Sequence, residues 1–123
     1  MPFHEEKKPA FRFLRRERLK RRDGIREVFK RGKSVTCSGA KLFFKRNGLP
    51  HNRVVFTFGR KYGNAVKRNR SRRCGREAYR LIRNELKTGY DLVLLVYPGN
   101  DSFAGRMEQL RVLFSKAGLF YGN

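Results

Sequence analysis

Five consecutive apolar residues, Leu92-Val93-Leu94-Leu95-Val96, stand in a 123-residue chain of which 33% carries charge. A run this short, opened after Gly89 and closed by Pro98-Gly99, reads as a β-strand covered on both faces. A covered strand needs neighbours in a sheet, and two covered faces need a layer on each side. The rest of the chain supplies both. Residues 40–46 alternate, with Leu42 and Phe44 on one face and Lys41, Phe43 and Lys45 on the other. Residues 53–59 put Val54, Phe56 and Phe58 on one face and Val55, Thr57 and Gly59 on the other. Asn47-Gly48-Leu49-Pro50 supplies the turn between them.

Three helices complete the reading. The first runs over 23–31, with Asp23 as N-cap, Ile25, Val28 and Phe29 as contacts and Gly32 as its end. The second spans 65–86, with Cys74, Ala78, Leu81 and Ile82 as its buried stripe. The third spans 103–118, with Phe103, Met107, Leu110, Phe114 and Ala117 on one side. The order α-β-β-α-β-α predicts an α/β (α+β) sandwich, a small mixed sheet covered by helices. Its βαβ unit crosses right-handed by default. Residues 1–13 have no periodicity and read as a mobile arm, leaving 14–120 as a single domain.

Charge then narrows the function. The chain holds 31 Lys and Arg against 10 Asp and Glu, a net +21. Residues 12–33 carry 11 of these cations, and residues 60–83 carry 10 against the single acid Glu77. From residue 84 onward four cations meet four acids. A surface so positive calls for a polyanion, nucleic acid before an anionic membrane or an acidic protein. Arg exceeds Lys by 20 to 11, which suits phosphate gripping, although genome bias alone can produce such a ratio. No apolar run approaches the ~20 residues of a membrane span. No secretory h-region opens the chain. Cys37 and Cys74 make neither a disulfide framework nor a zinc site, so a reduced, cytoplasmic chain is expected.

The densest motif joins a strand end to a helix start, where free N–H groups and the helix dipole attract phosphate. It runs Gly59-Arg60-Lys61-Tyr62-Gly63-Asn64-Ala65-Val66-Lys67-Arg68-Asn69-Arg70-Ser71-Arg72-Arg73. Farther along, Arg72, Arg73, Arg76, Arg80 and Arg83 fall within an arc of about 100° on one helix face and would repel one another without an anionic partner. A solvated basic helix start is the plainer alternative. The Lys41–Phe43–Lys45 face is the second signal: an aromatic between cations can stack one base and hold its phosphates. Phe43 packing beneath the first helix with Phe29 is the competing reading, and the two are compatible. Catalytic groups are not assembled. His4 and His51 lack partners, no carboxylates cluster for a metal, Gly59 and Gly63 do not form a Walker loop, and Cys74 reads as core. No small-molecule substrate and no membrane partner is indicated.

Residues 59–80, with Arg18-Leu19-Lys20, Ile25 to Gly32, the Arg53–Phe58 strand and the last strand and helix, resemble the protein subunit of bacterial ribonuclease P over about residues 15–118. The resemblance implies a ribosomal protein S5 domain 2-like fold whose βαβ crossover is left-handed, against the default. It implies a ribonucleoprotein that removes the 5′ leader of precursor tRNA. The RNA subunit is the catalyst, Mg²⁺ is required by the RNA-containing holoenzyme, and the protein itself holds no cofactor and no catalytic residue. The partners are then the catalytic RNA and precursor tRNA. Arg60, Lys61, Lys67, Arg68, Asn69, Arg70, Arg72, Arg73, Arg76 and Arg80 are the RNA-binding candidates. Ile25, Phe29, Ser34 and Phe43, with Lys41 and Lys45 from the strand face, are the candidates for a leader cleft that Arg68 and Asn69 edge. The chain departs from the family at Ser71, Cys74 and Gly75, where bulky apolar residues are usual, and at Ile25, where an aromatic is frequent. A ribosomal or rRNA-binding protein is the alternative; a self-sufficient basic nuclease and a DNA-binding protein fit the residues less well.

Overall fold

The computed structural model describes residues 15–20, 22–99 and 101–122, so the arm expected at 1–13 lies outside the described residues. Its elements are α1 (Arg22–Arg31), β1 (Lys33–Cys37), β2 (Ala40–Arg46), β3 (Arg53–Phe58), α2 (Ala65–Ile82), β4 (Tyr90–Val96) and α3 (Phe103–Lys116). One four-stranded sheet has the order β1-β2-β4-β3. β2 is antiparallel to β1 and to β4, and β3 runs parallel to β4. The mixed sheet and the β3–α2–β4 crossover are therefore as expected. Among the described residues no helix is long and apolar enough to cross a membrane.

The sequence order lacked one element, the edge strand β1. Its residues Lys-Ser-Val-Thr-Cys turn only Val35 and Cys37 toward the core, so no apolar run marks it. The Ser38-Gly39 turn, with Gly39 at φ 84°, closes it onto β2 in a two-residue hairpin. α1 begins at Arg22, which places Asp23 inside the first turn rather than at the cap.

Strand alternation sorts the sheet into two faces. Leu42, Val54, Phe56, Leu92, Leu94 and Val96 pack against Ala78, Tyr79 and Ile82 of α2 and Leu110, Leu113 and Phe114 of α3. Leu42, Leu92 and Leu94 are completely buried, contributing about 2 kcal/mol each. Among the described residues the other face carries α1 and Leu19 of the segment before it, through a smaller cluster of Leu19, Val28 and Val93 with Ile25, Phe43 and Val55 against it. One helix cannot cover four strands, so among the described residues part of this face is open.

α2 is rotated from the expected orientation. Its buried residues are Ser71, Gly75, Ala78, Tyr79 and Ile82, a stripe turned by about 60° from the one periodicity indicated. Leu81, read as core, is half exposed at 50%, and Cys74 is half-buried. The cause is close approach: a Cβ on Gly75 would lie 2.5 Å from the Phe56 ring. The helix also stops at Ile82, and Arg83–Glu85 form a 3-10 turn. The N-terminal segment lies along the outer edge of β3, where Arg18 bridges Val54 and the Leu19 N–H donates to the Val54 carbonyl at 3.0 Å.

Candidate nucleic-acid interface

The start of α2 is built to present cations. Gly63, at φ 138°, turns the chain, and Asn64 caps the helix by accepting from the Lys67 N–H at 3.0 Å. No acidic residue occupies the first turn, so nothing neutralises the positive end of the dipole. Arg60, Lys61, Lys67, Asn69, Arg70 and Arg73 are exposed there. The Arg68 Nε is buried with no hydrogen-bond partner among the described residues, a costly arrangement that a phosphate oxygen would relieve. Arg72 donates to the Asn69 side chain at 2.8 Å and lies 5.2 Å from the Phe58 ring centroid. Asn69, Arg72, Arg73, Arg76 and Glu77 line a groove of about 500 Å³.

The arginine face is narrower than its periodicity indicates. Arg80 pairs with Glu77, which raises the Arg80 pKa and lowers that of Glu77. Arg83 turns inward to Glu17, both side chains being nearly buried. The face extends instead through a segment remote in sequence. Burial, followed by the charges of Arg18 and Arg72, holds the Arg76 guanidinium below its ordinary pKa. Arg15, Arg16, Arg18, Lys20 and His51 line a further hollow of about 370 Å³ beside the start of β3. The two basic segments that the sequence separates thus flank the same edge strand.

The open sheet face holds the second site. Ser34, Phe43, Val93 and Val55 form one cross-strand row. Phe29 meets Phe43 edge-on at 4.7 Å between centroids, and the Lys41 ammonium lies 5.0 Å from the Phe43 ring. Phe29 keeps 41% of its surface exposed. Phe43 therefore packs beneath α1 and also remains on the open face, as both readings allowed. Ile25 is half-buried in the α1 cluster. Lys45 does not join this group: it pairs in register with Asp91 and lines a separate hollow with Glu27 and Arg53.

Sequence reasoning missed Tyr97. Its N–H donates to the Gly39 carbonyl at 3.0 Å, and the Gly59 N–H donates to the Val96 carbonyl at 2.9 Å, so the ladder continues past β4. Tyr97 then follows Val93 and Leu95 on the open face, about 13 Å beyond Val93. Its row neighbours are Gly39 and Gly59, and a Cβ on Gly59 would come within 3.2 Å of its ring. The ring is 43% exposed. The signal was present as an aromatic in step with Val93 and Leu95, but it lay beyond the apolar run.

Among the described residues no three His, Cys, Asp or Glu side chains gather to hold a metal ion. Asp91 is engaged otherwise, by a two-pronged Arg53 pair at 2.8 Å and by Asn47 at 3.0 Å. Burial raises the Cys74 thiol above its ordinary pKa, opposite to what a nucleophile needs. The arrangement can bind phosphates and stack bases.

A family model described as Ribonuclease P matches residues 13–118. The "Ribonuclease P protein component" of Natranaerobius thermophilus is 46% identical over 77 residues, covering 63% of this chain and 67% of that protein. The protein of that name from Thermoanaerobacter sp. is 32% identical over 108 residues, covering 86% and 93%. Among solved structures, the RNase P protein from Thermotoga maritima matches with TM-score 0.71 at 29% identity, covering 79% of this chain and 94% of that one. The Staphylococcus aureus RNase P protein shares the fold, with TM-score 0.76 at 21% identity over 85% and 97%.

Proposed function

The chain belongs to the ribonuclease P protein family, and is thus the RNA-binding protein component of a tRNA-processing ribonuclease complex; we propose how it divides the work within that complex. The cationic start of α2 and its Arg72–Arg76 face dock the catalytic RNA subunit. The open sheet face, from Phe29 and Phe43 past Lys41 to Tyr97, holds the single-stranded 5′ leader of precursor tRNA. The RNA subunit carries out the cleavage, and the required Mg²⁺ is held by RNA. The complex works in the cytoplasm.

One observation carries this reading. A cationic helix start and a partly open aromatic–cation strand face occur on one small domain. The first suits a folded RNA and the second an unpaired strand. The protein's part in catalysis is electrostatic and positional, since its field screens repulsion between RNA strands that bound cations otherwise meet.

Reconstitution across a Mg²⁺ titration tests it. Purified protein alone leaves precursor tRNA intact, and protein added to the RNA subunit gives leader removal at lower Mg²⁺ than RNA alone. Identical Mg²⁺ curves with and without protein, at every salt concentration, would overturn the proposal.

A further inference from the structure

α3 belongs to the charge-balanced third of the chain, yet it carries the least expected side chain in the molecule. Arg106 is 1% exposed, the largest of the fully buried side chains. Its Nη2 donates to Asp101 Oδ1 at 2.9 Å, to Ser71 Oγ at 2.9 Å and to the Tyr62 hydroxyl at 3.5 Å. Its Nη1 donates to the Gln109 side chain. The Tyr62 hydroxyl, itself buried, lies 2.7 Å from Ser71 Oγ and also donates to Asp101. The Cys74 thiol donates to the Asp101 carbonyl at 3.7 Å.

This cluster joins three stretches of chain. Tyr62 comes from the Gly59–Asn64 loop, Ser71 and Cys74 from α2, and Asp101 and Arg106 from α3 and the turn before it. Stability alone is a poor reason for it. The Arg106 Nε has no hydrogen-bond partner among the described residues, and a buried ion pair is often matched or bettered by apolar residues of similar volume. What a buried fork does, and an apolar side chain does not, is fix several polar groups in one geometry.

The loop held this way needs such a tether. Arg60 and Lys61 are adjacent and exposed in its turn, followed by Lys67, Arg68 and Arg70, with no acid among residues 59–76. Mutual repulsion pushes Arg60 and Lys61 away from the cations at the start of α2. Tyr62 is the loop's buried side chain, its ring 4.8 Å from that of Phe58. Burial and the Asp101 carboxylate raise its pKa, so the hydroxyl stays protonated and donating at neutral pH.

We infer that Arg106 and Asp101 form a buried brace that positions the Gly59–Asn64 loop through Tyr62 and so sets where Arg60 and Lys61 meet RNA phosphates. This rests on the RNA-docking reading of the α2 start. Arg106 and Asp101 are positioning residues and touch no RNA themselves. Ser71 and Cys74, departures from the family pattern, then have a purpose as the helix side of the brace.

Three variants of the full chain test it, each at a temperature where circular dichroism shows it folded. Tyr62→Phe removes the hydroxyl that ties the loop and leaves Arg106 bonded to Asp101 and Ser71. Arg106→Met removes the brace. Leu113→Ala is a control that weakens the same helix at a buried site outside the cluster. Amide hydrogen exchange of the free protein reads the brace directly: Tyr62→Phe speeds exchange at residues 60–64, and Leu113→Ala does not. Salt titration of binding to the ribonuclease P RNA reads the consequence. Tyr62→Phe and Arg106→Met weaken binding roughly tenfold at low salt and reduce the salt slope by about two, one per lost phosphate contact, while Leu113→Ala keeps the parent slope. Unchanged exchange in Tyr62→Phe overturns the brace. Faster exchange with the parent affinity and slope overturns its role in RNA binding, as does an equal slope loss in Leu113→Ala. Should Arg106→Met not fold, Tyr62→Phe decides alone. A parent protein that does not bind the RNA at all would overturn the docking reading instead, and the exchange result would still judge the brace.

Discussion

Helix propensity and packing make opposite predictions for Gly75→Ala. A glycine inside a helix is about 1 kcal/mol worse than alanine, so propensity alone predicts a more stable protein. The structure predicts the reverse. An added Cβ would lie 2.5, 2.7 and 2.9 Å from three atoms of the Phe56 ring, where carbon pairs rest at about 3.5–4.0 Å. Phe56 is 3% exposed and held on β3 opposite Leu94, so the ring has nowhere to go, and α2 must lift from the sheet. Overpacking of this kind costs roughly 1–3 kcal/mol, and contact with three ring atoms belongs at the upper end. Subtracting the propensity gain leaves a net loss of about 2 kcal/mol. For a domain of this size that lowers Tm by roughly 8 °C. Thermal unfolding of parent and variant in the same buffer, followed by far-ultraviolet circular dichroism, measures it. A variant melting at or above the parent would refute the close-approach account of why α2 is rotated.

The proposed RNA contacts give further expectations. Arg68→Ala or Arg70→Ala weakens assembly with the catalytic RNA and lowers the salt slope of binding by about one each; a filter-binding titration with the parent slope would contradict this. Phe43→Ala weakens affinity for leader-containing precursor tRNA more than for mature tRNA, by about 1–3 kcal/mol if one base is stacked there; equal losses for both would return Phe43 to a purely structural role. Tyr97→Ala weakens binding only when the leader is long enough to pass Phe43 and reach the Gly39–Gly59 row, so a series of leader lengths should show parent and variant diverging at one length; curves that coincide throughout would remove Tyr97 from the cleft.

What the sequence shows of this fold follows from where each signal is stored. Strand faces were legible because alternation is local: Leu42 and Phe44 against Phe43, and Val54, Phe56 and Phe58 against Val55, are each decided by neighbours two residues away. The cationic helix start was legible for the same reason, since the turn, the Asn64 cap and the cations adjoin in sequence. β1 escaped because an edge strand buries little, and Val35 and Cys37 alone do not make a pattern.

The α2 stripe escaped for a deeper reason. Ser71 and Gly75 are buried, and neither is apolar enough to say so. Gly75 is buried because of the shape of Phe56, nineteen positions earlier, and Ser71 because Arg106 reaches it from thirty-five positions later. Charge counting failed at the same place. Arg106 and Asp101 cancel in the tally of the C-terminal third and look like two ordinary surface residues, whereas the structure pairs them with one another beneath the cationic helix α2. Residues proposed to touch RNA are thus readable from composition and local motif, because they must face outward together. Residues that would aim them are not, because their partners are far away in sequence and their burial contradicts their chemistry. The same logic explains why the two basic segments read as separate until the structure laid residues 15–20 along β3, within electrostatic reach of Arg76. A cationic surface of this kind is assembled by the sheet, and the edge strand β3 is the element that brings its halves together.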